Sequence, residues 1–425
     1  MAFSTLHAFT LFTWSQPEAP AFFSSRSVIS PVTLPAYSIR WQCIGLFVRG
    51  RGEMVTFREA MQAKQHLVKR WKKMPGVIGI GIGYANEKDR KDGACIVLYT
   101  VNASASVKRS CPRSVSVRSV KAAGRVAVPV RTITSGRCCC HVQVRDRASA
   151  RQYRGRIRPV IAGYSVGYPG ASGTAGLIVQ SASRSAQRYL FSNNHVLNRN
   201  NTGGYTETIQ PGGADGGRSG RDRIGRLYRF VRLRKNGVNY IDAALSIPTA
   251  NRLLAPRYAT VGVVRGHVRS YGVGNRFKKV GRTSGRVSGV VESIHTDIDV
   301  DYGNHAGLGT IRFRNQTVIR GAVAVSLPGD SGSVWLTASN YAAAVNFAGS
   351  ADGRRSIAFP IQWAMQAFGI RVARAAGSRG QIRTNGRKQK NPMRTQPLSA
   401  AQLGTIVTKR ALKTSRRKHQ RKEVH

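Results

Sequence analysis

Acidic residues are scarce in this 425-residue chain: 18 Asp and Glu stand against 68 Lys and Arg, a formal charge of +50. Of those cations 51 are Arg and only 17 are Lys. The imbalance makes nucleic acid, an anionic membrane or an acidic partner the first candidates to test. No apolar run comes near the ~20 residues that a spanning helix needs, so no membrane span is expected. Cysteine is absent from 141 to 425, which leaves that stretch without a disulfide framework. The six that exist are Cys43, Cys95, Cys111 and the adjacent run Cys138, Cys139 and Cys140, followed by His141. That run lacks the spacers that let a chain wrap a tetrahedral zinc, so it reads as incidental thiols in a loop, with no metal and no cofactor. The first 20 residues carry no cation and do not read as a signal peptide, which favours a cytoplasmic site over a secreted one. Residues 1–53 are expected to be either an unstructured extension or a mis-called one, and in the second case Met54 is the natural start.

From Met54 the pattern is organised. Phe57, Met61, Leu67, Val68 and Trp71 fall at helical spacing with a basic outer face, and Pro75-Gly76 stops the helix. Val77–Tyr84 and Ala94–Val101 then read as two strands, giving a small α+β element over 54–104. The GxGxG of Gly79, Gly81 and Gly83 lies inside a strand, not at a turn into a helix, so it is structural and not a phosphate loop. Residues 105–157 read as a basic connector with one strand at Arg125–Ile133. Beyond Val160 short β runs recur every eight to twelve residues between Gly, Asn and Pro, which indicates an all-β barrel or sandwich. One helix stands out there, Ile361–Phe368. Residues 373–425 hold 15 cations and a single acid, Glu423, and read as a disordered basic tail with a helical turn or two in Leu398–Val407.

Three segments of the β region put a polar residue of catalytic type in apolar surroundings. His195 ends the run Tyr189–Leu197, Asp242 sits inside Val238–Ile247, and Ser331 lies in the glycine-flanked turn Pro328–Ser333. A carboxylate among apolar residues is costly unless it has a partner. Together the three satisfy acyl transfer through serine. The hydroxyl needs an imidazole to take its proton, and the imidazole needs a buried carboxylate to hold its tautomer. The glycine before the serine lets backbone N–H groups, those of Gly329 and Ser331, converge on a developing oxyanion. Asp215 and Asp222 lie in Gly- and Arg-rich loops and are weaker candidates for the carboxylate.

The order His195, Asp242, Ser331, with GDSGS around the serine and DAAL around the aspartate, resembles the chymotrypsin-like (trypsin-fold) serine proteases. The SNNHVL form at His195 and GRTSG at Gly281–Gly285 are similar to the bacterial branch of that family. The resemblance covers about residues 158–372, and the MPGVIGIGIGY segment before it is similar to the N-terminal region of uncharacterised bacterial trypsin-like proteins. It implies two antiparallel six-stranded β-barrels, 158–255 carrying His and Asp and 256–372 carrying Ser, closed by the C-terminal helix. By the same resemblance Arg282 pairs with Asp330 to support the oxyanion loop, so no zymogen cleavage is needed. Phe347, Ala348, Gly349 and Ser350 would wall the primary pocket, with Val325 in its floor Ala322–Ser326. That floor has no acid, so a small or medium apolar side chain is expected before the scissile bond.

Asp297, Asp299 and Asp301 alternate along one strand, which leaves open a calcium site or, the stronger reading, a solvated strand face. Two functions from different classes compete for the whole chain. One is a serine endopeptidase acting on a protein or peptide substrate. The other is a non-catalytic protein of the same fold that binds polyanions, nucleic acid or an anionic surface, through basic segments such as 373–425. Oligomeric state is not legible.

Overall fold

In the computed structural model the described residues are 54–86, 93–121, 123–140, 151–183, 186–374, 380–384 and 393–414. The expectations for 1–53, Cys43 and His141 lie outside them. None of the described helices is long and apolar enough to cross a membrane.

Thr56 starts the first helix with a reciprocal cap. Its hydroxyl accepts from the Glu59 N–H, and the Glu59 carboxylate accepts from the Thr56 N–H at 2.7 Å. Helix α1 (Phe57–Arg70) buries Ala60, Ala63 and Leu67 against β1 (Val77–Tyr84) and β2 (Ala94–Thr100), which pair antiparallel. Each apolar side chain of Leu size buried this way contributes about 1.5–3 kcal/mol. Residues 105–157 are not a plain connector. They hold α2 (Ala105–Ser110), β3 (Ser114–Arg118) and β4 (Arg125–Thr134), with β4 parallel to β2 and antiparallel to β3. The alternation of β3 is polar on one face, which is why it escapes a reading by apolar runs.

The chain continues through β5 (Val160–Ala162), β6 (Ser165–Val166), β7 (Gly173–Thr174), β8 (Leu177–Ser181) and β9 (Arg188–Ser192). A single turn, α3 (Asn194–Leu197), follows, then β10 (Glu207–Ile209), β11 (Arg223–Val231), β12 (Ala244–Pro248), β13 (Leu254–Tyr258) and β14 (Gly266–Val268). The second half has β15 (Arg276–Gly281), β16 (Gly285–Asp301), β17 (Thr310–Arg320), β18 (Val334–Leu336), β19 (Tyr341–Gly349) and β20 (Arg355–Pro360). After it come α4 (Ile361–Phe368), β21 (Ile370–Val372), β22 (Gln381–Arg383), α5 (Ala400–Gly404) and β23 (Thr408–Arg410).

The fold is mostly β, but the strands do not divide into two sets of six. They form a twelve-stranded sheet, a seven-stranded sheet and two small pairs. Within the larger sheet β15, β18, β19, β20, β17 and β16 pair in a closed circuit. The seven-stranded sheet runs β10-β11-β12-β9-β8-β21 with β23 on β11, and its two ends are unpaired with each other among the described residues.

The N-terminal element is continuous with the larger sheet, because β1 pairs antiparallel with β16. This explains the GxGxG. A Cβ at Gly81 would collide with the Thr296 hydroxyl, so the glycine permits the close approach of the two strands. Lys64 of α1 adds a buried ion pair to Asp297 of β16, 2.8 Å. Asp299 pairs with Arg312 through two 2.7 Å bonds, and Asp301 accepts from the Gly303 N–H. The three aspartates therefore have separate partners, and the solvated-face reading fails at Asp297.

The described part of 373–425 is folded onto the sheets, which corrects the expectation of a disordered tail. Strand β22 runs parallel to β14, β23 pairs with β11, and Met393 and Leu398 are buried. Thr395 exchanges hydrogen bonds with the backbone of Tyr271, and the Trp363 indole N–H donates to Gln396 O at 2.7 Å. Helix α5 lies inside the stretch read as a helical turn or two.

Candidate active site

Strand β9 ends at Ser192, and β12 pairs with it at Ala244. That register sets Asp242, two residues ahead of β12, beside the turn α3. Asp242 is thus in the approach to a strand and not inside one. The side-chain amide of Asn193 donates to Asp242 O at 2.6 Å. The N–H groups of Asn194 and His195 donate to Asp242 Oδ1 at 2.7 and 3.3 Å. The turn carrying the imidazole is therefore fastened to the carboxylate by its own backbone.

His195 Nδ1 is hydrogen-bonded to Asp242 Oδ2, and both residues are fully buried. Facing the carboxylate fixes Nδ1 as the protonated ring nitrogen and leaves Nε2 with its lone pair. The same Oδ2 accepts a second hydrogen bond, 2.7 Å, from the hydroxyl of Tyr302 at the end of β16. Burial by itself would raise the Asp242 carboxyl. The charge and ring hydrogen bond of His195, the Tyr302 hydroxyl and the Asn194 N–H outweigh it, and the carboxyl is held below its ordinary value.

Ser331 stands in the turn between Leu327 and Val334. Gly329 and Gly332 adopt φ of +92° and +91°, where a side chain would be strained. A Cβ at Gly329 would also strike the Arg282 guanidinium. The turn is tied to the other half of the site through Thr174, whose N–H donates to Ser331 O at 2.8 Å while its O accepts from Ser192 Oγ. Among the described residues the N–H groups of Gly329 and Ser331 have no acceptor. The Ser331 hydroxyl donates to Phe347 O at 3.4 Å, and His195 Nε2 has no hydrogen-bond partner. The serine–imidazole hydrogen bond is therefore not made in this conformation.

Asp330 is fully buried, but its cation is not Arg282. Lys279 Nζ lies 3.4 Å from Asp330 Oδ2, also with no exposed side-chain surface. Thr283 and Ser284 N–H donate to Oδ1 at 3.0 and 2.9 Å, and Leu327 N–H donates to Oδ2 at 3.0 Å. Arg282 turns away: its Nε donates to Asp215 Oδ2 at 2.7 Å, and its second nitrogen pairs with Asp215 Oδ1. The reason is the period of the strand. Lys279 and Gly281 share one face of β15, and Gly281 has no side chain to keep the Asp330 carboxylate away. Arg282 is the next residue along and points to the opposite side, into the loop bearing Asp215. Burial pushes the Lys279 ammonium below its ordinary value, opposed by the charge of Asp330.

The residues expected to wall a pocket are closed in. Val325 is buried among apolar side chains that include Trp335. The Phe347 ring packs on Phe313 and Phe359, at 4.6 and 6.0 Å between centroids. Ala348 O accepts from Ser326 Oγ at 3.0 Å, and Ser350 Oγ donates to Asp352 at 2.6 Å. Gly349 exchanges two 3.0 Å backbone hydrogen bonds with Cys139. A cleft of about 570 Å³ lies beside the site; Cys139, Cys140, Tyr168, Arg199, Tyr302 and His305 line it, and His195, Asp242 and Ser331 do not.

No protein-family model matches this chain, nor does any curated protein. Among solved structures it is similar to a Nocardiopsis protease (19% identity, TM-score 0.36) over 50% of this chain and 98% of that one. It is also similar to Thermobifida fusca protease A (20%, 0.36), with 50% and 97% covered, and to Cellulomonas bogoriensis chymotrypsin (21%, 0.35), again with 50% and 97% covered.

Three contributors escaped the reading from sequence. Lys279 is one cation among many, though its alternation with Gly281 is a usable signal. Tyr302 lies 60 residues beyond Asp242 and has no motif around it. Cys138–Cys140 lie outside the strands, as a loop reading expects, but they are fastened to the sheet beside the site. Cys139 is bridged antiparallel to Gly349 and parallel to Asp301, while the Cys140 backbone N–H donates to Asp301 O at 3.0 Å. Burial, and then the charge of Asp242, push the Cys140 thiol well up, which makes it inert.

Proposed function

We propose that this chain is a serine endopeptidase. The observation that carries the reading is the fully buried His195–Asp242 pair, whose outer nitrogen, Nε2, is buried without a partner. A buried polar atom left unsatisfied costs free energy and calls for an explanation, and a proton acceptor awaiting a hydroxyl is one. In this reading the closed circuit of β15–β20 is a six-stranded barrel presenting Ser331.

The chemistry follows from the placement of the groups. Ser331 Oγ rotates away from Phe347 O and attacks the carbonyl carbon of a peptide bond as its proton passes to His195 Nε2. Asp242 stabilises the imidazolium that results. The Gly329 and Ser331 N–H groups, unspent on internal acceptors, hold the oxyanion. The C–N bond breaks as the imidazolium protonates the leaving amine, leaving an acyl ester on Ser331. Water, deprotonated by His195, attacks that ester and returns the serine. Lys279 and Asp330 hold the turn that carries both N–H groups. An extended substrate running along β19 needs the edge at Gly349, so Cys139 must first leave it.

A fluorophosphonate probe tests this reading on the full chain. Labelling that disappears in Ser331→Ala supports the endopeptidase. Absence of labelling, together with salt-sensitive retention of nucleic acid, would favour the polyanion-binding alternative.

A further inference from the structure

Among the described residues the Asp242 carboxylate has four hydrogen-bond donors, and only one of them comes from the other half of the site. Two are N–H groups of its own sheet's turn, on Oδ1, and one is the His195 ring, on Oδ2. The fourth is the Tyr302 hydroxyl, from the tip that joins β16 to β17. Tyr302 is well held for this task. Its ring is 3% exposed and stacks on Phe313 at 6.0 Å and 18°. It meets the His195 ring edge-on at 5.6 Å and 89°. Its N–H donates to Gly309 O at 2.9 Å and its O accepts from the His305 N–H at 3.1 Å, so the backbone is fixed on both sides. Hydroxyl and imidazole share one oxygen, so the phenol sets the plane of the carboxylate that the imidazole must meet.

We propose that Tyr302 is a positioning residue for the reaction inferred above, on which this inference rests. Its hydroxyl locks Asp242 so that Oδ2 faces Nδ1 of His195 and Nε2 is aimed at the serine. The hydroxyl remains protonated, and therefore a donor, because burial and the charge of Asp242 both oppose its ionisation. The other ionisable groups at the pair are consistent with a single charged partner there. Cys140 stays a thiol. His305, 6.2 Å from the His195 ring, is pushed down to about 4 by burial and then by the charge of His195, so it is neutral at pH 7.

Tyr302→Phe in the full chain removes the hydroxyl and keeps the ring against Phe313. On a peptide substrate, kcat should fall about 10-fold, the order expected for one hydrogen bond to a charged group, with KM within about 2-fold. The downfield proton resonance of His195 Nδ1–H, assigned by its absence in His195→Ala, should move or broaden. Placing 4-aminophenylalanine at 302 restores a donor and should recover most of both effects. Unchanged kcat with an unmoved resonance overturns the proposal. So does a loss of kcat that tracks a lower melting temperature while the resonance stays put, since that is a packing effect. The resonance requires no turnover. A chain that is not labelled by the fluorophosphonate fails the endopeptidase reading, while a resonance moved by Tyr302→Phe still supports the role given to Tyr302.

Discussion

Asp242 and Asp330 are carboxylates with no exposed surface, one in each half of the candidate site, and they differ in the kind of partner each has. Asp242 faces an imidazole whose second nitrogen has no partner, and a phenol that donates to the same oxygen. Asp330 faces the Lys279 amine and three backbone N–H groups. Burial has removed water from both. What differs is whether the partner is fully engaged or keeps a nitrogen open. An engaged pair holds a loop in shape; a ring with an unpartnered nitrogen is suited to a reaction. The contrast predicts that the two aspartates fail in different ways.

The largest effect should come from Asp242→Asn. An amide keeps the shape of the carboxylate but presents the wrong hydrogen-bonding groups to Nδ1, and the imidazole is driven to the wrong tautomer. A loss of about 10³–10⁴-fold in kcat is expected, with a melting temperature close to that of the parent. Asp330→Asn, measured beside it, should act mainly on stability. If the two variants lost kcat equally at equal stability, the division between a working and a structural aspartate would collapse.

Second in size is Lys279→Met. It leaves Asp330 buried without a cation, and removing one partner of a buried pair typically costs about 3–5 kcal/mol. Urea unfolding reads this directly, and Lys279→Met with Asp330→Asn should recover much of the loss. Arg282→Ala should behave independently of Asp330 and couple instead to Asp215 in a double-mutant cycle. Coupling of Arg282 to Asp330, and none of Lys279 to it, would overturn the assignment.

The sequence displays one side of this comparison better than the other. Helix α1, strand β1 and helix α4 follow from apolar periods and a Pro-Gly stop. His195, Asp242 and Ser331 are visible because each is polar in apolar surroundings. Lys279 is invisible by the same logic: in a chain with 68 cations, no single one stands out by composition. Tyr302 reaches Asp242 only through the pairing of β16 with β17, which no local pattern encodes. The tail fails for a related reason. Strands β22 and β23 are three residues each and largely exposed, and they exist because β14 and β11 offer them an edge. Local propensity cannot supply a partner strand.

The smallest effect concerns two buried imidazoles whose rings are not hydrogen-bonded to a carboxylate. His267 Nε2 is bonded to Gln362 at 2.8 Å, and His295 Nε2 donates to Arg394 O at 3.0 Å. Burial pushes both down to about 4, against opposing hydrogen bonds. The native chain therefore keeps them neutral while the unfolded chain takes up protons near the ordinary value of about 6.5. Stability falls wherever the unfolded state binds more protons, so it should drop as pH goes from about 6.5 to about 4. Each histidine accounts for about 2 kcal/mol between pH 7 and pH 4.5. His267→Gln or His295→Gln should flatten the pH dependence of urea unfolding by that amount while lowering stability at pH 7 less. An unchanged slope in both variants would mean that these histidines accept protons in the fold.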